Sequence, residues 1–134
     1  MREILFRGKR VDNGEWVYGY VAIHTIIGDE TELKTVIVQK PDKIYQYDSW
    51  TVIPETIGQY TGLKDKNGKK IFEGDIVFCG DGKVPTEIRW VQESSAFMAY
   101  NLKRKECHLL NKYFDRFIGE VIGNEHDNQG LVED

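Results

Sequence analysis

The sequence predicts a mostly β fold: a small SH3-like or pseudo-barrel arrangement of short antiparallel strands, with one short helix near the C-terminus. Three observations carry the prediction. Thirteen glycines against three prolines suit a chain with many tight turns. Apolar residues recur in short alternating runs, such as Trp16–Ile23 (WVYGYVAI) and Lys34–Gln39 (KTVIVQ), bounded by Gly, Asn, Asp or Pro. Asn67-Gly68 then lies between two strand-like stretches, and this dipeptide supplies the positive φ angles of a two-residue type I′ turn, the strongest short-range hairpin signal a sequence offers.

The elements follow in order. Ile4-Leu5-Phe6 centres a first strand, and Asp12-Asn13-Gly14 is a turn signal. In Trp16–Ile23 the period of two puts Trp16, Tyr18 and Tyr20 on one face and Val17, Gly19 and Val21 on the other. Both faces are bulky or apolar, so this strand is expected to be largely covered, and Gly19 to mark a bend or a close backbone crossing. Ile26–Leu33, with Gly28-Asp29-Glu30, reads as a loop, and Lys34–Gln39 as a strand ended by Pro41. Tyr45–Ser49 is irregular, and short strands are expected at Trp50–Ile53 and Glu55–Tyr60.

Past the Asn67-Gly68 turn come strands at Ile76–Cys79, Pro85–Gln92 and Phe97–Tyr100, with Gly80-Asp81-Gly82 as a turn. Leu109, Leu110, Tyr113, Phe114 and Phe117 fall at helical spacing, which predicts an amphipathic helix over Leu109–Phe117 stopped by Gly119. Glu120–Ile122 is a last strand, and Asn124–Asp134 an acidic, frayed end. A chain of 134 residues fits a single domain, with room for an N-terminal β lobe (1–58) and a C-terminal small barrel (59–124).

Gln59–Val77 (QYTGLKDKNGKKIFEGDIV) also carries a family resemblance. Gln59 to Gly68 followed by Ile71 to Val77 resembles the signature of the YopX family of phage and prophage proteins. The opening Met1-Arg2-Glu3-Ile4 with Phe6-Arg7 is similar to the family's start, and Glu120-Val121-Ile122-Gly123-Asn124 to its close. The stretches 26–49 and 79–111 match no motif of it. The resemblance implies a mostly β protein of phages or prophages of Gram-positive bacteria. It carries no catalytic residues over to this chain. Its structural motif here is Gly62, Asn67, Gly68, Gly74 and Asp75, the last read as a turn residue whose carboxylate binds nearby backbone amides.

Charge narrows the partners. The net charge is −4, so the chain as a whole does not attract nucleic acid, and basic residues gather only at Lys64/Lys66/Lys69/Lys70 and Lys103-Arg104-Lys105. No run approaches the roughly 18 apolar residues of a membrane span, and no apolar leader follows Met1. Two cysteines, Cys79 and Cys107, are too few for a secreted disulfide scaffold, so reduced thiols and a cytoplasmic location in a bacterial host are expected.

The search for reactive groups returns weak constellations. Glu125-His126-Asp127 is the nearest approach to a ligand set, but a solvated acidic tail accounts for it. Cys107-His108 are sequence neighbours, and neighbours diverge on a strand or a helix. Glu73 and Asp75 flank Gly74 as turn residues, and Cys79 reads as a small core residue. No metal site, cofactor or catalytic residue is expected. Tyr45, Tyr47 and Trp50, near Lys40 and Lys43, could cap one end of the fold, anchor a protein interface or stack nucleic-acid bases. With Lys64 and Lys66 they make the expected interaction surface. The sequence therefore points to a non-enzymatic interaction module, self-associating as a homo-oligomer or binding a host or phage protein. The alternative is a nucleic-acid-binding accessory protein of phage replication or regulation.

Overall fold

Strands account for most of the described residues, and every ladder between them is antiparallel. The computed structural model describes residues 3–26, 32–39, 48–79, 84–110 and 118–131. These fall into two compact units, one over Glu3–Gln59 and one from Tyr60 onward.

The first unit contains β1 (Phe6–Lys9), β2 (Trp16–Ile26), β3 (Glu32–Val38) and β4 (Ser49–Thr51), in the spatial order β4-β3-β2-β1. The β1–β2 turn closes through Gly14 N–H to Arg10 O, while the Asn13 side chain accepts the Glu15 N–H. Gly14, with a φ of 71°, takes the left-handed conformation that such a turn requires. Val17, Ile37 and Val52 form the core, flanked by Phe6, Trp50 and Ile57. A 3-10 turn at Pro54–Thr56 leads to β5 (Gly58–Lys64), whose first residues pair with β1 as Arg7↔Gly58 and Phe6↔Gln59. The Thr56 hydroxyl ties this turn down, donating to Ile53 O and accepting from Lys9 N–H.

Gly19 is a close backbone crossing, as its place among large aromatics predicts. A Cβ there would lie 2.0 Å from the Val38 carbonyl oxygen. The expectation that both faces of β2 are covered is corrected. Tyr18, Tyr20, Val21 and Ile23 are exposed: the ladder partners β1 and β3 occupy the edges of the strand and leave these side chains on its faces in solvent. The strands also run further than expected, since Ile26 pairs with Glu32 where a loop from Ile26 to Leu33 is predicted.

The second unit contains the rest of β5, β6 (Lys70–Phe72), β7 (Asp75–Cys79), β8 (Val84–Val91), β9 (Ala96–Asn101), β10 (Glu106–Leu109) and β11 (Ile118–Asn124). The last five form a sheet in the order β10-β9-β8-β7-β11. Ile71, Val77, Ile88 and Ala99 are its buried centre, with Leu63, Cys79, Leu110 and Val121 packed against them. The expected mostly β fold of short antiparallel strands is present, and its sheets are open rather than closed into a barrel. The five-stranded order ends at β10 and β11 with no ladder joining them among the described residues, and β10 is a short strand of four exposed residues.

Two further expectations change. Asn67-Gly68 does make a hairpin, but not the two-residue type I′ turn. Only Gly68 has positive φ (81°), Gly68 N–H bonds Asp65 O, and Asp65 N–H bonds Lys69 O. This is the three-residue alternative, a β-turn followed by a left-handed glycine. At the predicted helix, Leu109 is instead the last residue of β10, paired with Met98, and Leu110 N–H bonds Phe97 O. Residues 111–117 lie outside the described residues. Among the described residues there is no α-helix, and none long and apolar enough to cross a membrane.

Candidate interaction surface

The outer end of the β2–β3 ribbon presents an apolar patch. Paired residues share a face, so Val21, Ile23 and Leu33 project together, opposite Tyr20, Ala22 and His24. Ile23 is 67% and Leu33 69% exposed, while Ile37 on the same face is fully buried. The face therefore passes from core to solvent along the ribbon. Tyr18 and Tyr20 are exposed on the reverse side. At the tip, Lys34 Nζ lies 2.8 Å from Glu32 Oε1. Exposed apolar side chains clustered on one face have the character of an interface core, while Glu32, Lys34 and Tyr20 lie on the reverse face.

Of the aromatics expected at the surface, Trp50 sits on β4, half-buried against the first unit's core. It also lines an open cavity of about 370 Å³ with Arg10, Val11, Asp12, Lys34, Ser49 and Thr51. Arg10 lies 6.0 Å over the Trp50 ring and is held by Asp12 through bonds of 2.9 and 2.6 Å. Tyr45 and Tyr47 lie outside the described residues.

Lys64 and Lys66 belong to the second unit, on the β5–β6 hairpin, with their side chains exposed. Lys69 is exposed beside them, and Lys70 stands opposite Lys64. The residue between the lysines is the anchor of this hairpin. Asp65 is buried, and its carboxylate accepts the N–H groups of Asn67, Lys69 and Val121 at 2.9, 2.9 and 3.0 Å. Burial raises the pKa of this group, but the three donors and the Lys69 charge outweigh it and hold the carboxyl below the usual range. The sequence reading missed Asp65. Its signal was an Asp two residues before Asn-Gly, where the side chain can satisfy the turn's own amides.

Gly62 and Gly74 have φ of 90° and 91°. Gly74 stands at the β6–β7 turn, donating to Ile88 O and accepting from Glu125 N–H. Asp75 is 1% exposed, and its carboxylate accepts the Phe72 N–H at 2.8 Å. These groups fix backbone.

A second set of charged groups surrounds Glu125. Its carboxyl is pushed up to about 7 by burial first, then by a hydrogen bond with Glu87 and by the charges of Glu87 and Glu73, with Arg89 opposing. Glu87 is 3% exposed and takes the Arg89 guanidinium at 2.8 Å, while Arg89 stacks 3.9 Å over the Tyr100 ring. His126 Nε2 lies 3.2 Å from Glu125 Oε1. Chemically, Glu125 is a carboxyl that changes charge near neutral pH. The Glu87–Arg89 part was legible only as two charges two apart on a strand, hence on one face.

Where a frayed end is predicted, the described residues up to Leu131 are held by hydrogen bonds. The Asn124 side chain accepts the N–H groups of His126 and Asp127, and Asn124 N–H donates to Asn128 Oδ1. Cys107 and His108 are adjacent on exposed β10 and pair with Tyr100 and Ala99. Both cysteines are free, and burial raises the pKa of the Cys79 thiol. Among the described residues no three His, Cys, Asp or Glu side chains form a metal-ligand set.

A family model described as YopX protein matches residues 5–133, almost the whole chain. Curated proteins return no match.

Proposed function

The chain belongs to the YopX family, and from that premise we propose that it is a non-enzymatic interaction module of a phage or prophage that associates with a second copy of itself in the host cytoplasm. The observation that carries this reading is the exposed apolar end of the β2–β3 ribbon, where Val21, Ile23 and Leu33 meet solvent on one face. Solvated apolar clusters of this kind favour burial against a partner. The buried carboxylates of Asp65 and Asp75 support a structural role, since both bind backbone N–H groups.

Light scattering over a concentration series tests the reading. The expected result is a mass that rises from one chain to a multiple of it, and a return to one chain in Ile23→Glu. A monomer at every concentration overturns self-association. Binding of a host or phage protein is the same reading with a different occupant.

The exposed Lys64, Lys66 and Lys69 on one hairpin favour a second reading, nucleic-acid binding. It requires retention on single-stranded DNA that falls as salt rises and that weakens when these lysines become glutamines. Absence of retention at low salt rejects it.

A further inference from the structure

We propose that the contact between copies is made by β3, with Glu32–Lys34 of one chain pairing antiparallel to Glu32–Lys34 of the other and Leu33 opposite Leu33. The inference rests on the self-association proposed above and assigns it a strand and a register.

The edge is open at this point. The ladder of β3 with β4 covers Val36–Val38, and Thr35 O accepts the Val52 N–H at 3.1 Å. The period of two places the N–H and C=O of Leu33 on the same edge as those of Thr35. No strand pairs with that edge at Leu33 among the described residues. An exposed edge with free peptide groups is a template for another strand.

Charge selects a second copy as the occupant. A twofold axis through the Leu33 pair sets Glu32 of each chain opposite Lys34 of the other, and the side chains of 32 and 34 lie on one face. Two opposite-charge cross-strand pairs form at once. Each chain already holds Lys34 Nζ 2.8 Å from its own Glu32, so pairing brings four charges together with alternating sign. On the other face, the exposed Leu33 and Ile23 of both copies come side by side. One register thus matches backbone, charge and apolar surface.

Two charge reversals test the register. Glu32→Lys alone and Lys34→Glu alone each put like charges opposite one another twice. Each variant is expected to weaken self-association on the order of tenfold. Mixing the two in equal amounts restores it, because the lysines of one variant then face the glutamates of the other. Circular dichroism confirms that each variant is folded, which is expected for substitutions on an exposed edge. Variants that associate as tightly as the wild type, or a mixture that fails to recover, overturn the register while leaving self-association standing. A wild-type chain that remains monomeric overturns both. So does a monomer that takes up a different protein at this edge.

Discussion

The carboxylate of Asp65 accepts the backbone N–H of Val121, a residue 56 positions away in sequence, at 3.0 Å. The same carboxylate closes its own hairpin through Asn67 and Lys69. Lys66 N–H completes the junction by donating to Gly119 O. A single side chain thus specifies a local turn and docks that turn on the last strand.

Asp65→Ala leaves three amide donors without their acceptor. Loss of stability by about 2–4 kcal/mol is expected, given the cost of unsatisfied buried groups. Asp65→Asn keeps one acceptor oxygen and should lose less. Urea unfolding of the three proteins checks the order. The folded-state pKa of Asp65 is lowered, so its contribution is present above the unfolded carboxyl range and fades as pH falls through the folded value. The stability gap between wild type and Asp65→Ala should therefore narrow in strong acid, toward the smaller gap that a neutral acceptor leaves.

Glu125 behaves in the opposite sense. Its folded pKa is raised to about 7, so its stabilising contribution is full below the unfolded value and is lost as pH rises through about 7. Glu125→Gln should flatten the stability profile between those limits and make the protein more stable than wild type at pH 8. Solvent screening at this half-buried group leaves a gain on the order of 1 kcal/mol. Thermal melts at pH 5 and pH 8 measure it. The expectation fails if both proteins show the same pH dependence.

Gly19→Ala forces a methyl group against the Val38 carbonyl, which is backbone and cannot swing away. Destabilisation of about 3 kcal/mol is expected from the overpacking. Gly14→Ala also meets an unfavourable φ, but its surroundings are open. It should cost only about 1 kcal/mol, the strain of a left-handed alanine. Melting temperatures of the two variants should separate accordingly.

What the sequence made legible was local. Alternation in Trp16–Ile23 and Lys34–Gln39 located β2 and β3, and Asn67-Gly68 located the β5–β6 hairpin. Gly19 announced a close approach that Val38 supplies. The turn type was misread because Asn-Gly serves two hairpin geometries, and Asp65 decides between them. Cover was misjudged on β2 because bulk shows that a residue can be buried, not that another layer packs on its face. Leu109 followed strand pairing with Met98 over a spacing that also suits a helix. The Glu87–Glu125 pair was invisible because its members lie far apart in sequence and meet only when β8 and the turn after β11 are in place.

The Asp65–Val121 and Lys66–Gly119 bonds also set an order of events during synthesis. The hairpin around Asn67-Gly68 leaves the ribosome well before its docking partners do, and β7 likewise waits for β11. At translation rates of roughly 5–20 residues per second, the interval is several seconds. Through that interval the Asp65 carboxylate can satisfy Asn67 and Lys69 only, and the second unit reaches its final hydrogen-bonding only when Val121 emerges.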